Sequence, residues 1–355
     1  MVEEKSRILP IDGLRGIAAL VVALYHYHTV TGMGKFLDLR AFKAGLLGVD
    51  LFFILSGIII TYIYEDKIVR GATSFKSFMV ARLARLYPLH FITFFIMLFL
   101  EVISFFWLKQ GHIITDPASP TTTAFFNLTL LQNIGFYQKF ANWNDPSWSI
   151  SAEIAVNIFW FWLAANRKNT STLYVFLIWL TLAVIPYFEV LKPFFLLNRA
   201  LAGFLVGCLL YRHCIANGAL NKIPVVSANV MAALLVIFIP VALIWPDQPL
   251  LKIDGSIFVI AIFPLLILLA LHAKTFLRSR LESRVAVVLG HISYSVYLLH
   301  WPMILIILHF IGQPGSKFWQ AWYLVMLLLL SYLSYRYVET PLRSKMRVMF
   351  KEQTG

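Results

Sequence analysis

The stretch IDGLRGIAALVVALYHYHTV, residues 11–30, decides the fold class, because it places an arginine and a histidine inside an otherwise apolar run. Arg15 and His26 are eleven residues apart, so a helix puts them on one face, about 16 Å apart along its axis. Ionisable side chains are costly in a bilayer and usually face a protein interior or an aqueous cavity. The segment therefore predicts a membrane helix with a fixed cation at the membrane edge and a titratable base near mid-depth.

The composition extends this prediction to the whole chain. Of the 355 residues, 60% are hydrophobic and 13% are charged, whereas about a quarter of the residues of a soluble domain are charged. Ten apolar segments are long enough to be spans: approximately 13–30, 46–64, 88–108, 148–165, 172–190, 194–212, 226–245, 255–272, 287–310 and 319–338. We therefore expect an all-α polytopic membrane protein of about ten transmembrane helices.

The remaining segments complete the predicted organisation. The stretch 122–137 is apolar but short, so it is predicted to be an amphipathic or re-entrant piece. Connections are short, and no extramembrane domain of any size is expected. We predict a single transmembrane domain over residues 1–345 and a cytoplasmic tail over residues 346–355.

The distribution of basic residues predicts the orientation. With ten spans, the segments on the side of the two termini hold 20 Lys and Arg residues, and those on the other side hold 8. By the positive-inside rule, both termini are cytoplasmic. The net charge of +13 is then an orientation signal and a contact with the anionic lipid bilayer, and no nucleic-acid partner is expected. Cys208 and Cys214 are predicted to be free thiols, and the absence of zinc-type spacing predicts no metal site.

Two carboxylates lie within apolar segments. Asp50 begins the second predicted span, where it is either an N-terminal helix cap or a functional group that orients His26 or accepts a sugar hydroxyl. Glu153 lies about five residues inside the fourth span. It is either a structural partner of Arg199 or a residue for substrate binding and acid–base support, because an intramembrane carboxylate needs a partner.

Polar and charged groups in three further segments also need an interpretation. Arg82 and Arg85 precede Pro88 by about one turn, and they form either a solvated basic face or a clamp for phosphate oxygens. Polar groups run through the ninth span as far as His300, which together with the following Trp-Pro pair is interpreted as a kinked packing element. The late segment Glu339-Thr340-Pro341 is predicted to stop the last helix at the cytoplasmic interface.

The order of six motifs carries more information than any one of them. They run from end to end of the chain: DGLRGIAALVVALYHY (12–27), GVDLFFILSG (48–57), RLARLYP (82–88), PSWSISAEI (146–154), ISYSVYLLHWP (292–302) and VETPLR (338–343). The sequence thereby resembles acyltransferase family 3, the bacterial membrane O-acyltransferases of cell-surface glycans. One departure is Ile154, which stands where a second acidic residue often follows the glutamate of this motif.

The resemblance implies a role for each matching position. The family's histidine falls on His26 and its partner arginine on Arg15, and its acidic residues fall on Asp50 and Glu153. Its cytoplasmic arginines fall on Arg82 and Arg85, which with Arg15 would meet the phosphates of the donor. The serine-tryptophan motif supplies the remaining candidates, which would contact the substrate: Trp148, Ser149 and Ser151.

From this resemblance we expect an O-acetyltransferase of the bacterial inner membrane. Acetyl-CoA from the cytoplasm is the expected donor, in a cavity between spans one to four, and no metal takes part. His26 would act as base on a hydroxyl of an envelope or lipid-linked glycan, such as lipopolysaccharide O-antigen or exopolysaccharide, with Asp50 or Glu153 orienting it. Direct attack on the thioester and a transient acyl-enzyme both fit. The alternative is a transporter of a glycan precursor or small anion, without bond chemistry. The sequence leaves the oligomeric state open.

Overall fold

A computed structural model describes residues 7–31, 45–108, 120–134, 143–166, 170–184, 194–218, 222–244, 255–311 and 317–352. These parts of the chain are helical and contain no strand. In chain order the helices are α1 (Leu9–Thr31), α2 (Gly45–Val69), α3 (Phe75–Val102), α4 (Pro120–Leu128), α5 (Trp148–Ala165), α6 (Thr170–Trp179), α7 (Phe195–Leu210), α8 (Val225–Ile244), α9 (Gly255–Ile257), α10 (Phe263–Leu271), α11 (Phe276–Leu281), α12 (Arg284–Ile306), α13 (Lys317–Ser334) and α14 (Thr340–Glu352). A short 3₁₀ turn, Asp145–Ser147, precedes α5.

Short π-helical segments extend several of these helices. They are Ile103–Leu108 after α3, Leu180–Val184 after α6, Tyr211–Ile215 after α7, Phe258–Ile262 between α9 and α10, Ile307–Ile311 after α12 and Tyr335–Glu339 between α13 and α14. The last of these segments makes α13 and α14 one continuous helical rod.

Length and hydropathy support a multi-pass membrane protein. Within the described ranges, seven helical stretches are long and apolar enough to cross a bilayer: Leu9–Thr31, Leu47–Val69, Phe75–Phe106, Asp145–Ala165, Phe195–Ile215, Arg284–His309 and Lys317–Met346. Three shorter apolar stretches coincide with the other predicted spans: Thr170–Leu182, Val225–Pro240 and Phe258–Leu271. The count of ten and the cytoplasmic position of both termini stay predictions.

The outward surface of the bundle is apolar, as a lipid-facing surface must be. Large hydrophobic side chains on it are well exposed, with Phe99 at 64%, Trp179 at 56% and Leu234 at 62%. In water, contiguous apolar surface of this kind marks an interaction site. Around a helical bundle of this composition, it marks contact with acyl chains.

Prolines lie at two predicted boundaries: Pro88 begins the third predicted span, and Pro341 is predicted to stop the last helix. Helix α3 begins at Phe75, so Pro88 lies inside it and not at its start. The predicted stop at Pro341 fails because α14 continues to Glu352. Pro341 is the second residue of α14, which directly follows the π-helical segment Tyr335–Glu339, so it lies inside the continuous rod that α13 and α14 form. The stretch 122–137 contributes α4, whose nine residues extend about 14 Å and are too short to cross a bilayer. Residues 135–137 lie outside the described ranges.

Helix α1 packs mainly against α12 and α2, and α2 packs mainly against α7. Gly57 and Gly207 allow the close contact between α2 and α7. A Cβ on Gly57 would lie 2.0 Å from the Phe204 carbonyl oxygen, and a Cβ on Gly207 would lie 2.0 Å from the Ile54 carbonyl oxygen. The two backbones therefore approach more closely than any side chain allows, as expected for small residues between membrane helices. Cys208, beside this contact, is a buried free thiol, and Cys214 is also free.

Candidate active site

A cavity lies between α1, α2, α3, α5 and α12, and its space of about 670 Å³ includes its open mouth. The predicted cavity between the first four spans is therefore present, and α12 adds a fifth wall. Its polar lining consists of Arg15, Ser56, Arg82, Arg85, Ser149, Glu153, Ser293, Tyr294 and Tyr297.

Three arginines from two helices converge on this cavity, and Arg82 is the most tightly held. The Arg82 guanidinium donates from Nη2 to Glu153 Oε1 at 2.6 Å, and Ser56 Oγ donates to the same oxygen at 2.8 Å. Arg82 is only 5% exposed, so it does not form the solvated basic face that the sequence allowed. A buried guanidinium keeps its charge when a carboxylate lies this close.

Arg15 and Arg85 are less constrained than Arg82. The nearest oxygen of Asp12 lies 3.9 Å from Arg15 Nη1, at the limit of an ion pair. Arg85 has no hydrogen-bond or ion-pair partner among the residues that the structure describes. The cavity wall thus carries three guanidinium groups and one carboxylate, and the weakly paired guanidinium groups can accept an anionic ligand.

A second carboxylate, that of Glu339, interacts with two of these arginines. Glu339, which is 7% exposed, accepts a hydrogen bond from Ser295 Oγ at 3.2 Å and interacts electrostatically with Arg85 and Arg15. The sequence interpretation treated Glu339 only as part of a helix stop. The signal that could have identified it is its position directly after the tenth predicted span, because a carboxylate at the edge of a bilayer also requires a partner.

The predicted base, His26, lies next to the cavity and does not line it. Its Nδ1 atom is 3.1 Å from Nε2 of His300 on α12, and the Trp301 ring packs edge-on against it at 5.6 Å. His300 in turn contacts the ring of Tyr297 at 5.9 Å, and Tyr297 lines the cavity. Ring contacts therefore connect His26 through His300 to Tyr297 on the cavity wall.

Tyr297 also joins α12 to α5. The Tyr297 hydroxyl lies 2.7 Å from Ser149 Oγ, and both oxygens lie 3.0 Å from the Pro146 carbonyl oxygen. Ser149 thus has a place on the cavity wall. Trp148 packs instead against Phe53.

Ser151 has structural contacts with the segment that follows α4. Its hydroxyl donates to the Leu130 carbonyl at 2.7 Å and accepts from the Asn133 amide at 3.2 Å. Of the three predicted substrate contacts, Ser149 alone reaches the cavity. The long loop 109–147, which the sequence associated with a sugar, includes residues 109–119 and 135–142, which lie outside the described ranges.

Asp50 forms a bidentate ion pair with Arg199 of α7. Arg199 donates from Nη2 to Oδ2 at 2.6 Å and from Nε to Oδ1 at 3.1 Å. The cap interpretation of Asp50 is wrong, because α2 is already helical from Gly45. The structural pairing of Glu153 with Arg199 is also wrong, since Glu153 pairs with Arg82. The described contacts of His26 include neither carboxylate.

We expect the Asp50–Arg199 pair to stabilise the contact between α2 and α7. Arg199→Gln leaves the buried Asp50 carboxylate without its partner, which costs about 3–5 kcal/mol, and Asp50→Asn should cost less because Arg199 is only partly buried. The measurement is the thermal midpoint of the purified protein in detergent, followed by size-exclusion recovery after heating. The double variant Asp50→Asn with Arg199→Gln removes both charges and should recover most of the loss. Equal midpoints for both single variants and the wild type would contradict this role.

Comparisons with known proteins agree with this architecture. The acyltransferase domain model of acyltransferase family 3 matches residues 8–344. The O-acetyltransferase OatA of Staphylococcus aureus (strain NCTC 8325 / PS 47) is 25% identical over 371 residues, covering 96% of this chain and 58% of that protein. The peptidoglycan O-acetyltransferase OatA of Listeria monocytogenes serovar 1/2a is 25% identical over 361 residues, covering 94% of this chain and 55% of that protein.

The chain thus spans a little over half the length of these curated relatives. No solved structure matches. The family match extends from the second residue that the structure describes to α14, and it includes every helix that lines the cavity. This chain is therefore a member of acyltransferase family 3.

Proposed function

We propose that the protein is an integral membrane O-acetyltransferase of a bacterial inner membrane, which transfers an acetyl group from acetyl-CoA to a hydroxyl of an envelope glycan. The observation that carries the proposal is the convergence of Arg15, Arg82 and Arg85 on one cavity within the bundle. Guanidinium groups suit phosphate oxygens, and acetyl-CoA carries its phosphates at the end remote from the thioester. The orientation predicted by the positive-inside rule has these arginines on the cytoplasmic side, where acetyl-CoA is made.

The chemistry assigned to His26 requires a neutral imidazole with a free nitrogen. Such a nitrogen takes the proton of the attacking hydroxyl while the hydroxyl oxygen forms a bond to the thioester carbon. The carbon–sulfur bond then breaks, the acetyl ester forms, and CoA leaves as the thiolate or, after taking the proton, as the thiol. An acyl-enzyme route divides the same exchange into two transfers.

Arg82 and Glu153 have a supporting role in this proposal. Because each neutralises the other at 2.6 Å, their ion pair holds the walls from α3 and α5 together and leaves Arg85 and Arg15 for the donor. Glu153 is then a group that positions Arg82, and its distance from His26 does not matter for the chemistry. The acceptor class follows the relatives, one of which is named for peptidoglycan; lipopolysaccharide O-antigen and exopolysaccharide carry the same kind of hydroxyl.

The test uses the purified full chain in liposomes with radiolabelled acetyl-CoA on one side and an envelope glycan fraction on the other. Release of free CoA together with label on the glycan supports the proposal. Movement of a labelled solute across the bilayer without loss of the thioester would favour the transporter alternative and contradict the proposal. Protein-free liposomes give the background of thioester hydrolysis, and mass spectrometry of the glycan identifies the acetylated sugar.

A further inference from the structure

The hydrogen bond between His26 and His300 joins two spans that are 274 residues apart in the chain. Helix α1 supplies His26 and α12 supplies His300, and these two helices pack along much of their length. The two imidazole planes are inclined by only 21°, with their centroids 5.1 Å apart. His300 is fully buried at 0% exposure, so its ring has no solvent to exchange with.

A hydrogen bond between two neutral imidazoles requires one N–H group and one lone pair. The contact joins Nδ1 of His26 to Nε2 of His300. The direction of donation therefore decides which nitrogen of His26 remains free. If His26 donates from Nδ1, its Nε2 atom keeps a lone pair; if His300 donates, the Nε2 atom of His26 carries a proton.

The proposed role of His26 as a base sets the direction of this hydrogen bond. A base needs a lone pair on the nitrogen that meets the hydroxyl, and His300 occupies the Nδ1 side of the His26 ring. The proton of His26 then lies on Nδ1, and Nε2 of His300 accepts it. His300 carries its own proton on Nδ1, an atom that has no hydrogen-bond partner among the described residues.

Packing around His26 holds this arrangement in place. The Trp301 ring stands at 84° to the His26 ring, and Tyr25 makes a second edge contact, at 5.0 Å. Two ring contacts and one hydrogen bond leave little room for the imidazole to rotate about χ2. A base whose free nitrogen must meet a substrate benefits from such restraint, since a rotated ring presents the wrong nitrogen.

We propose that His300 is a positioning residue, which accepts the Nδ1–H of His26 and so keeps the Nε2 atom of His26 unprotonated and directed for catalysis. This inference rests on the proposed function, because it assigns His26 the role of base. His300 takes the place that a carboxylate or carbonyl oxygen has beside other catalytic histidines. A neutral acceptor suits this position, because an unpaired carboxylate would be costly at a fully buried site.

Kinetics of two substitutions test the hydrogen bond. His300→Phe keeps a ring but removes the acceptor, and we expect it to lower kcat by about 10- to 100-fold while the KM for acetyl-CoA changes by less than about twofold. His300→Gln supplies an amide oxygen as acceptor and should recover a large part of the loss. His309→Phe is the matched control, because His309 follows on the same helical segment and, among the described residues, bonds to the Leu305 carbonyl of its own segment; its kcat should equal that of the wild type.

A measurement that does not depend on activity completes the test. Magic-angle-spinning NMR of ¹⁵N-histidine-labelled protein, compared with a His26→Gln sample, isolates the His26 signals and reports which nitrogen is protonated. We expect the Nδ1–H form in the wild type and the loss of this preference in His300→Phe. An Nε2–H form of His26 in the wild type would overturn the proposal, whichever variants fold.

The kinetic outcomes are equally definite. Wild-type kcat in His300→Phe, a change confined to KM, or a His300→Gln variant as slow as His300→Phe would each overturn the positioning role. Absence of thioester consumption by the wild type itself would instead contradict the proposed function. The NMR result still decides the arrangement of the two imidazoles in that case.

Discussion

Replacing His26 by alanine is expected to reduce acetyl transfer by about 10²- to 10⁴-fold, the usual contribution of a general base. The substitution removes the nitrogen that takes the hydroxyl proton and leaves the arginine-lined cavity intact, since His26 does not line it. Binding of acetyl-CoA should therefore change little. The measurement is initial transfer rate in liposomes, with donor affinity determined separately by equilibrium binding of labelled acetyl-CoA.

His213→Ala is the matched control for this experiment. His213 is exposed, lies in the π-helical segment Tyr211–Ile215 that follows α7 and bonds to Ser171, so it belongs to neither helix of the α1–α12 contact. We expect it to transfer acetyl groups at the wild-type rate. Activity of His26→Ala within a few-fold of the control would remove the base assignment. Equal loss of donor binding and of transfer would point to a structural role.

Hydropathy predicts the positions of the apolar helices well, because a segment that spans must satisfy its own backbone and bury apolar side chains in lipid. It predicts their ends poorly where proline is involved. Pro88 lies inside α3 and Pro341 lies in the first turn of α14. The sequence pattern cannot distinguish a proline that ends a helix from one that the surrounding bundle accommodates.

In the candidate site, too, the sequence identifies single residues but not their partners. Asp50 and Glu153 could be identified from sequence as ionisable groups in apolar segments, and Arg82 as a basic residue just before one. Their partners could not, because the pairing Asp50–Arg199 and Glu153–Arg82 depends on which helices are neighbours. His300 was noticed as a polar residue in its span, but its contact with His26 follows only from the packing of α12 on α1.

Replacing Arg85 by alanine is expected to raise the KM for acetyl-CoA by about tenfold or more, because a hydrogen bond to a charged group contributes about 1.5–3 kcal/mol. Arg85 is the better target than Arg82 since Arg82→Ala would leave Glu153 unpaired and confound binding with stability. S-acetylpantetheine carries the thioester without the nucleotide phosphates. The variant should therefore lose efficiency with acetyl-CoA and keep that with S-acetylpantetheine.

The comparison of the two donors separates a phosphate contact from a general disturbance of the cavity. Arg70→Ala provides the control. Arg70 is an exposed arginine at the predicted cytoplasmic end of α2, so its replacement removes one positive charge, as Arg85→Ala does. It should change neither donor's KM beyond the small effect of surface charge. If Arg85→Ala impaired both donors equally, the guanidinium would act on the reacting end or on the fold. If it altered acceptor use alone, the assignment of the arginine cavity to the donor would be wrong, and the cavity would have to be assigned to the glycan.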